Sequence, residues 1–244
     1  MIVGVVGDAH LPWAHPLYLE FCIDVFTKHK VDTIVNIGDV IDHHCLSFWD
    51  SNPNGYGPEG EAEEATIELE RWYRHFPYSR VCIGNHDARH YRKARKSGIP
   101  DRFIRGYSDV WDTPEWTWEF DHVIDDVMYS HGTLSSGKTP AYNRAMKNRC
   151  STVIGHCHHA GGIKYHSNRV SRIFGMDTGC GIDVGAYAFE YGTESPDRPI
   201  LGCGVVVDGV VPYWYAMPIG AGEKYCRSKA KKGRRNVKRK RRWG

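Results

Sequence analysis

Residues 2–10 read Ile-Val-Gly-Val-Val-Gly-Asp-Ala-His, and residues 33–42 read Thr-Ile-Val-Asn-Ile-Gly-Asp-Val-Ile-Asp. Each is a short β-branched run that breaks at Gly-Asp, which is how a strand buried on both faces looks when it ends in a turn. Between them, residues 16–30 carry Leu19, Phe21, Ile23 and Phe26 on a helical stretch. Residues 61–76 give an acidic-faced helix and residues 80–84 a third strand. The alternation strand, helix, strand, helix, strand predicts right-handed βαβ units around a largely parallel sheet.

After Ser108 strands follow in quick succession, at 116–120, 126–131, 152–155, 163–166 and 172–176. A helix is expected at 140–148, and a hairpin joining 204–207 to 210–215 turns at Asp208-Gly209. The expected fold class is α/β, an αββα sandwich of two mixed β-sheets flanked by helices. Trp116, Trp118 and Phe120, spaced by two, are read as a core-facing strand side. Residues 51–60, rich in Asn, Pro and Gly, are read as a surface loop.

A chain of 244 residues with 41% hydrophobic content can bury a sizeable core, which excludes wholesale disorder. Apolar runs such as residues 2–6 and 205–207 fall far short of the roughly 20 residues of a membrane helix. Met1 leads straight into a β-like run, with neither a basic start nor a cleavage region, so no secretion signal is expected. Eight scattered cysteines without a Cys-x-x-Cys pair fit a reducing, cytoplasmic location. The net charge of +3 conceals an asymmetry: residues 224–244 hold 12 Lys/Arg and no acid, leaving 20 basic and 29 acidic residues before them. The expected organisation is one domain over 1–223 and a basic tail over 224–244, which suits nucleic acid as a partner through phosphate attraction. A localisation signal or a solubility tail is the alternative reading of that segment.

Metal-friendly residues cluster where strands end: Gly7-Asp8-Ala9-His10, Gly38-Asp39-Val40-Ile41-Asp42, Gly84-Asn85-His86-Asp87, Ser130-His131-Gly132 and Gly155-His156-Cys157-His158. Strand carboxyl ends form the ligand crevice of open α/β sheets, so the five clusters are expected to converge there. In extended chain, Asp8 with His10, and His156 with His158, lie on one side and can each chelate, whereas Cys157 points away and packs.

These ordered blocks resemble those of the calcineurin-like metallophosphoesterases over about residues 2–182. The resemblance implies one divalent ion held by Asp8, His10 and His158, a second by Asn85, His131 and His156, and Asp39 between them. It implies that His86 acts at the substrate as general acid or charge stabiliser, oriented by Asp87. Two metals clamp a phosphoryl displacement and lower the pKa of bound water to about 7. Carboxylate, amide and imidazole donors without thiolate suit Mn, Fe or Zn alike; the expected cofactor is a pair of divalent ions, Mn first, with Fe, Zn or Ni as alternatives.

His43 follows Asp42 where the family's protein phosphatases carry Arg, and Asp87 stands in place of their Glu. Both features favour phosphodiesterases and nucleases. His43, His44 and Arg89 are candidate substrate contacts, the histidines being as readily loop bystanders. Residues 89–105 carry seven Lys/Arg against Asp101 alone, either a solvated face or a guide for a polyanion. In the other direction, Asp177-Thr178-Gly179-Cys180-Gly181 resembles the closing strand of nucleotide and protein phosphatases. Residues 132–139 match a P-loop pattern, but Pro140 makes Thr139 an N-cap and leaves Lys138 outside the helix, which argues against ATP binding. The reading is therefore a phosphodiesterase acting on nucleic acid or a nucleotide. A phosphomonoesterase is the alternative, and a non-catalytic nucleic-acid-binding scaffold the alternative from another class.

Overall fold

The computed structural model describes residues 1–48, 55–183, 185–186 and 197–218, so the basic segment 224–244 and residues 51–54 of the expected loop lie outside the described residues. In chain order the first half comprises β1 (Ile2–Val6), α1 (Tyr18–His29), β2 (Thr33–Asn36), α2 (Pro58–His75), β3 (Ser79–Cys82), α3 (Arg89–Lys96) and α4 (Tyr107–Val110). The second half comprises β4 (Thr117–Glu119), β5 (Asp121–Ile124), β6 (Val127–Ser130), α5 (Pro140–Asn148), β7 (Ser151–Ile154), β8 (Gly162–Ser167), β9 (Arg172–Asp177), β10 (Gly202–Val207) and β11 (Val211–Ala216).

Two mixed sheets form, in the orders β11-β10-β1-β2-β3-β4 and β5-β6-β7-β9-β8. Strands β1 to β4 run parallel, as do β6, β7 and β9, while the outer hairpins run antiparallel. The pleat explains the layers. Val3 and Val5 of β1 join Val35, Cys82 and Val206 against Tyr129, Val153, Phe174 and Met176 of the second sheet, forming the inter-sheet core. Val6 and Ile34 turn to the other side, where Phe21, Phe26, Leu69 and Trp72 of α1 and α2 cover them. Helix α5 packs on β7 and β9 from the opposite face, burying Ala141 and Ala145. This is the expected αββα sandwich.

Three local expectations change. Helix α2 begins at Pro58, inside the stretch read as loop, because a proline at the first position already holds helical φ. Its Glu61 is 4% exposed instead of lying on a solvated face, and its carboxylate accepts the amides of His44 and Cys45. Strand β5, unread in the sequence, pairs with β6 through Asp125 and Asp126, both at positive φ (50° and 59°), the geometry of a tight hairpin. Trp116 is buried and Trp118 stacks on Tyr107 at 5.0 Å, but Phe120 is 67% exposed, since β4 ends before it.

The carboxyl ends of β1, β2, β3, β6 and β7 meet at one rim. Backbone bonds lace the loops there: His10 N–H to Asp39 O (2.9 Å), Leu11 N–H to Val40 O (2.8 Å), Gly155 N–H to His131 O (3.1 Å) and Gly181 N–H to Asp8 O (2.7 Å). Phe174, 2% exposed between the sheets, tests how far this rim relies on the core. Phe174→Ala is expected to cost about 3–5 kcal/mol of folding stability, read as a lower urea midpoint at unchanged slope.

Candidate metal centre

Two buried carboxylates organise the rim. Asp8 is 0% exposed and Asp39 1%. Asp8 Oδ2 accepts the backbone N–H of His156 at 2.7 Å, while Asp8 Oδ1 is buried without a hydrogen-bond partner. Asp39 Oδ1 accepts the backbone N–H of His86 at 2.7 Å. Its other oxygen, Oδ2, faces imidazoles: His131 Nε2 at 3.1 Å, His10 Nε2 at 3.7 Å and His86 Nε2 at 4.0 Å. Glycines create the room. A Cβ on Gly155 would stand 2.0 Å from Asp8 Oδ1, and one on Gly84 2.1 Å from Asp39 Oδ1.

The imidazoles are set by outer partners. His10 Nδ1 lies 2.6 Å from Asp42 Oδ1, so the proton sits on Nδ1 and Nε2 presents a lone pair 3.1 Å from His158 Nε2. His131 Nδ1 donates to Ile37 O at 3.2 Å, which turns Nε2 towards Asn85 Oδ1 (2.9 Å) and His156 Nδ1 (3.2 Å). His158 Nε2 stands 3.2 Å from Asp8 Oδ2. Donor atoms of Asp8, His10, Asp39 and His158 all lie within 4.8 Å of one another, as do those of Asp39, His131 and His156. Asp39 belongs to both groups, and Asn85 reaches the second through His131. His156 and His158 therefore fall into different groups instead of chelating together, because His156 adopts positive φ (68°) and the chain turns there. His10 (φ 52°) and Asp39 (φ 48°) share that left-handed conformation, which costs on the order of 1 kcal/mol per residue.

The donor set fits divalent cations. An orphaned carboxylate oxygen and converging imidazole lone pairs are costly in a dry pocket, and cations satisfy them together. Burial disfavours the charged form of His131, but Asp39 and Asp8 outweigh it and push its pKa up to about 9. In Asp39 burial raises the carboxyl pKa, and the neighbouring His131 and His86 overcome that and hold it well below its ordinary value.

His86 sits beside the two groups, 12% exposed at its side chain. Its Nδ1 lies 2.9 Å from Asp42 Oδ1, and Arg89 Nη2 stands 3.1 Å from its Nε2. Arg89 Nη1 donates to the carbonyls of Asp42 (2.9 Å) and His43 (3.0 Å). The orienting role that the resemblance gives Asp87 falls instead to Asp42: Asp87 accepts the amides of Ile41 (3.0 Å) and Gly84 (2.9 Å), one on each oxygen. Asp87 thus shapes the loop, and burial with the nearby Asp39 pushes its pKa up to about 7. Asp42 carried no assigned role in the sequence, although its place three residues after Asp39 was its signal.

His44 is 8% exposed, with Nδ1 4.0 Å from Asp42 Oδ2, which gives it a supporting position instead of a phosphate-facing one. His43 Nδ1 lies 3.0 Å from His86 O, its ring stands 5.5 Å from Trp111, and burial drops its pKa to about 4. Cys157 is buried, its thiol against Ser135 O. Beyond Arg89, helix α3 gathers Arg92, Lys93 and Lys96 at 4.8, 5.5 and 5.8 Å from the Phe48 ring, while Arg95 pairs with Asp101. The P-loop match fails as expected: Thr139 is the N-cap of α5, Pro140 its first residue, and Lys138 precedes both.

Gly155→Ala would drive a methyl into Asp8. It is expected to abolish binding of added Mn, read by equilibrium dialysis, and to lower stability by about 1–3 kcal/mol.

No curated protein sequence shows significant similarity to the chain. Among solved structures, Vps29 from Entamoeba histolytica complexed with zinc is 15% identical, with 88% of this chain and 92% of that one covered at a TM-score of 0.45. Vps29 from Chaetomium thermophilum is 9% identical, covering 89% and 92% at 0.48. The Pseudomonas putida nuclease MPE is 10% identical, covering 88% and 87% at 0.37. The family profile described as calcineurin-like phosphoesterase matches residues 1–184, a span that contains all five rim loops. By that match, the chain belongs to the calcineurin-like phosphoesterase family.

Proposed function

We propose that this chain hydrolyses a phosphodiester in nucleic acid or a nucleotide, in the cytoplasm, with two divalent cations, Mn preferred. Asp8, His10 and His158 would hold one ion and Asn85, His131 and His156 the other, with Asp39 between. The carrying observation is that Asp39 is shared by two donor groups, each within 4.8 Å. When bound, such a pair supplies Lewis acidity at the phosphoryl oxygens and lowers the pKa of water.

The chain's own side chains do the rest. Asp42 fixes His86 through Nδ1, and Nε2, which accepts from Arg89 Nη2 at 3.1 Å, completes a pair that would stabilise charge on the phosphoryl group. Burial opposes charge on His86, but Asp39 and Asp42 raise its pKa. Arg89, fixed by two carbonyls, presents its guanidinium beside the same atom and stabilises negative charge on the phosphoryl group. The α3 cations extend this field across the surface and support a polyanionic substrate. The described cysteines are all free thiols, which supports the cytoplasmic setting. Residues 177–181 favour the phosphomonoesterase as second reading. Complete donor groups argue against a non-catalytic scaffold, which has no use for clustered buried carboxylates and imidazoles.

With added Mn, the full chain is expected to turn over bis-p-nitrophenyl phosphate faster than p-nitrophenyl phosphate; monoester preference would move the assignment to the second reading. Asp39→Asn should lower turnover by more than about 100-fold, since even an outer-shell partner is worth about 10 to 100-fold. Asp39 and Asp8 push the pKa of His131 up to about 9, and a ligand must be neutral. Mn binding at pH 7.5 should therefore release a proton, detected by calorimetry in two buffers of different ionisation enthalpy, and affinity should rise with pH up to about 9. Deleting residues 224–244 should flatten the salt dependence of DNA binding, by about 0.7–0.9 in slope per lost phosphate contact, while sparing small-substrate turnover.

A further inference from the structure

Helix α3 reads Arg89-His90-Tyr91-Arg92-Lys93-Ala94-Arg95-Lys96 and buries none of these residues. Residues 89, 92, 93 and 96 follow the i, i+3, i+4, i+7 spacing of one helical face. Two residues on the other side anchor the helix. The His90 and Tyr91 rings stand 5.1 and 5.3 Å from that of Tyr107, which stacks on Trp118 at 5.0 Å, and Tyr91 Oη donates to Arg105 O at 3.2 Å. The cationic face is turned away from that packing and meets one ring. Arg92 Cζ lies 4.8 Å, Lys93 Nζ 5.5 Å and Lys96 Nζ 5.8 Å from the centre of Phe48, which is itself 42% exposed.

The charge of this face has no internal answer. Asp101, the one acid in residues 89–105, takes Arg95 through two bonds of 2.8 and 2.5 Å. Among the described residues no carboxylate pairs with Arg92, Lys93 or Lys96, so three like charges crowd one ring and are matched only by an anion from outside. The face also leads to the donor groups. Arg89, its first residue, places Nη2 3.1 Å from His86 Nε2, and the helix extends about 10 Å from there at 1.5 Å per residue. A second aromatic repeats the pattern: Phe103 is 68% exposed, with Arg102 Cζ 4.9 Å from its ring, in a turn tied to α3 by the Arg95–Asp101 pair.

We infer that α3 and Phe48 form a binding surface for single-stranded nucleic acid, with phosphates on Arg92, Lys93 and Lys96, a base on the exposed side of Phe48, and the strand entering the rim past Arg89. Cations alone would suit any polyanion. The exposed ring among them selects one that offers a π face. A duplex keeps its base faces inside the stack, whereas a single strand presents them, and a cationic track with aromatic platforms is how such strands are held. Burial at the rim adds a steric reason: Asp8 and His10 are 0% exposed and Asp39 1%, so a phosphate must bend inward to reach them. A duplex, stiff over about 150 base pairs, resists that bend. The inference deepens the nucleic-acid reading of the proposed function and rests on it for the strand's role as substrate.

Binding is tested apart from hydrolysis, by fluorescence anisotropy of the full chain in EDTA. The probes are a labelled oligothymidylate of about 20 nucleotides, longer than a typical single-strand site, and a mixed-sequence duplex of the same length. The single strand should bind about tenfold more tightly than the duplex. Phe48→Ala should erase that preference and Phe48→Tyr, which keeps a stacking ring, should retain it. The triple variant Arg92→Ala, Lys93→Ala, Lys96→Ala should lower the salt slope of single-strand binding by about 2, at about 0.7 per phosphate contact. Equal binding of strand and duplex by the unaltered chain, a preference that survives Phe48→Ala, or an unchanged salt slope in the triple variant would each overturn the surface. A chain that binds as described but hydrolyses no phosphoester retains the surface and loses only the catalytic reading. A chain that turns over bis-p-nitrophenyl phosphate yet binds strand and duplex alike keeps the catalytic reading and loses the surface.

Discussion

Two carboxylates, Asp8 and Asp39, lie side by side in a dry rim, each committing one oxygen to a backbone amide from another strand's loop. His156 N–H meets Asp8 and His86 N–H meets Asp39, both at 2.7 Å. Removing two charges from water costs several kcal/mol per ion unless opposite charge is supplied. The surroundings answer that demand: imidazoles converge, Asp42 is kept ionised by its bonds to His10 and His86 against the pull of burial, and the donor groups meet at Asp39. Three candidate donors, His10, Asp39 and His156, hold left-handed backbone, strain that is maintained only where neighbouring contacts over-determine it. The loops are thus fitted to a charged centre at the expense of local backbone comfort.

Much of this was legible in the sequence because the donor residues follow glycines at strand ends, and strand ends of a parallel sheet meet. The grouping of His156 apart from His158 was not readable from spacing alone, since an i, i+2 pair shares a face only if the chain stays extended. It turns at His156. Asp42 was overlooked for a related reason: its value lies in holding His10 and His86, a relation between residues 32 and 44 positions away that appears only when the loops fold together. Glu61 looked like one more acid on a solvated helix, and Phe120 like one more aromatic on a strand face. Their burial and exposure depend on where α2 starts and where β4 stops, the boundaries that local pattern defines least.

Electrostatics links the rim to the wider surface. Helix α3 gathers Arg92, Lys93 and Lys96 around the Phe48 ring, and it starts from Arg89, which touches His86.

The most direct measurement is anomalous diffraction from crystals of the full chain grown with Mn. Two peaks about 3.5–4 Å apart are predicted, one against Asp8, His10 and His158, the other against Asn85, His131 and His156, with Asp39 between them. A single peak, or ions bound clear of Asp39, would contradict the paired centre on which the account rests.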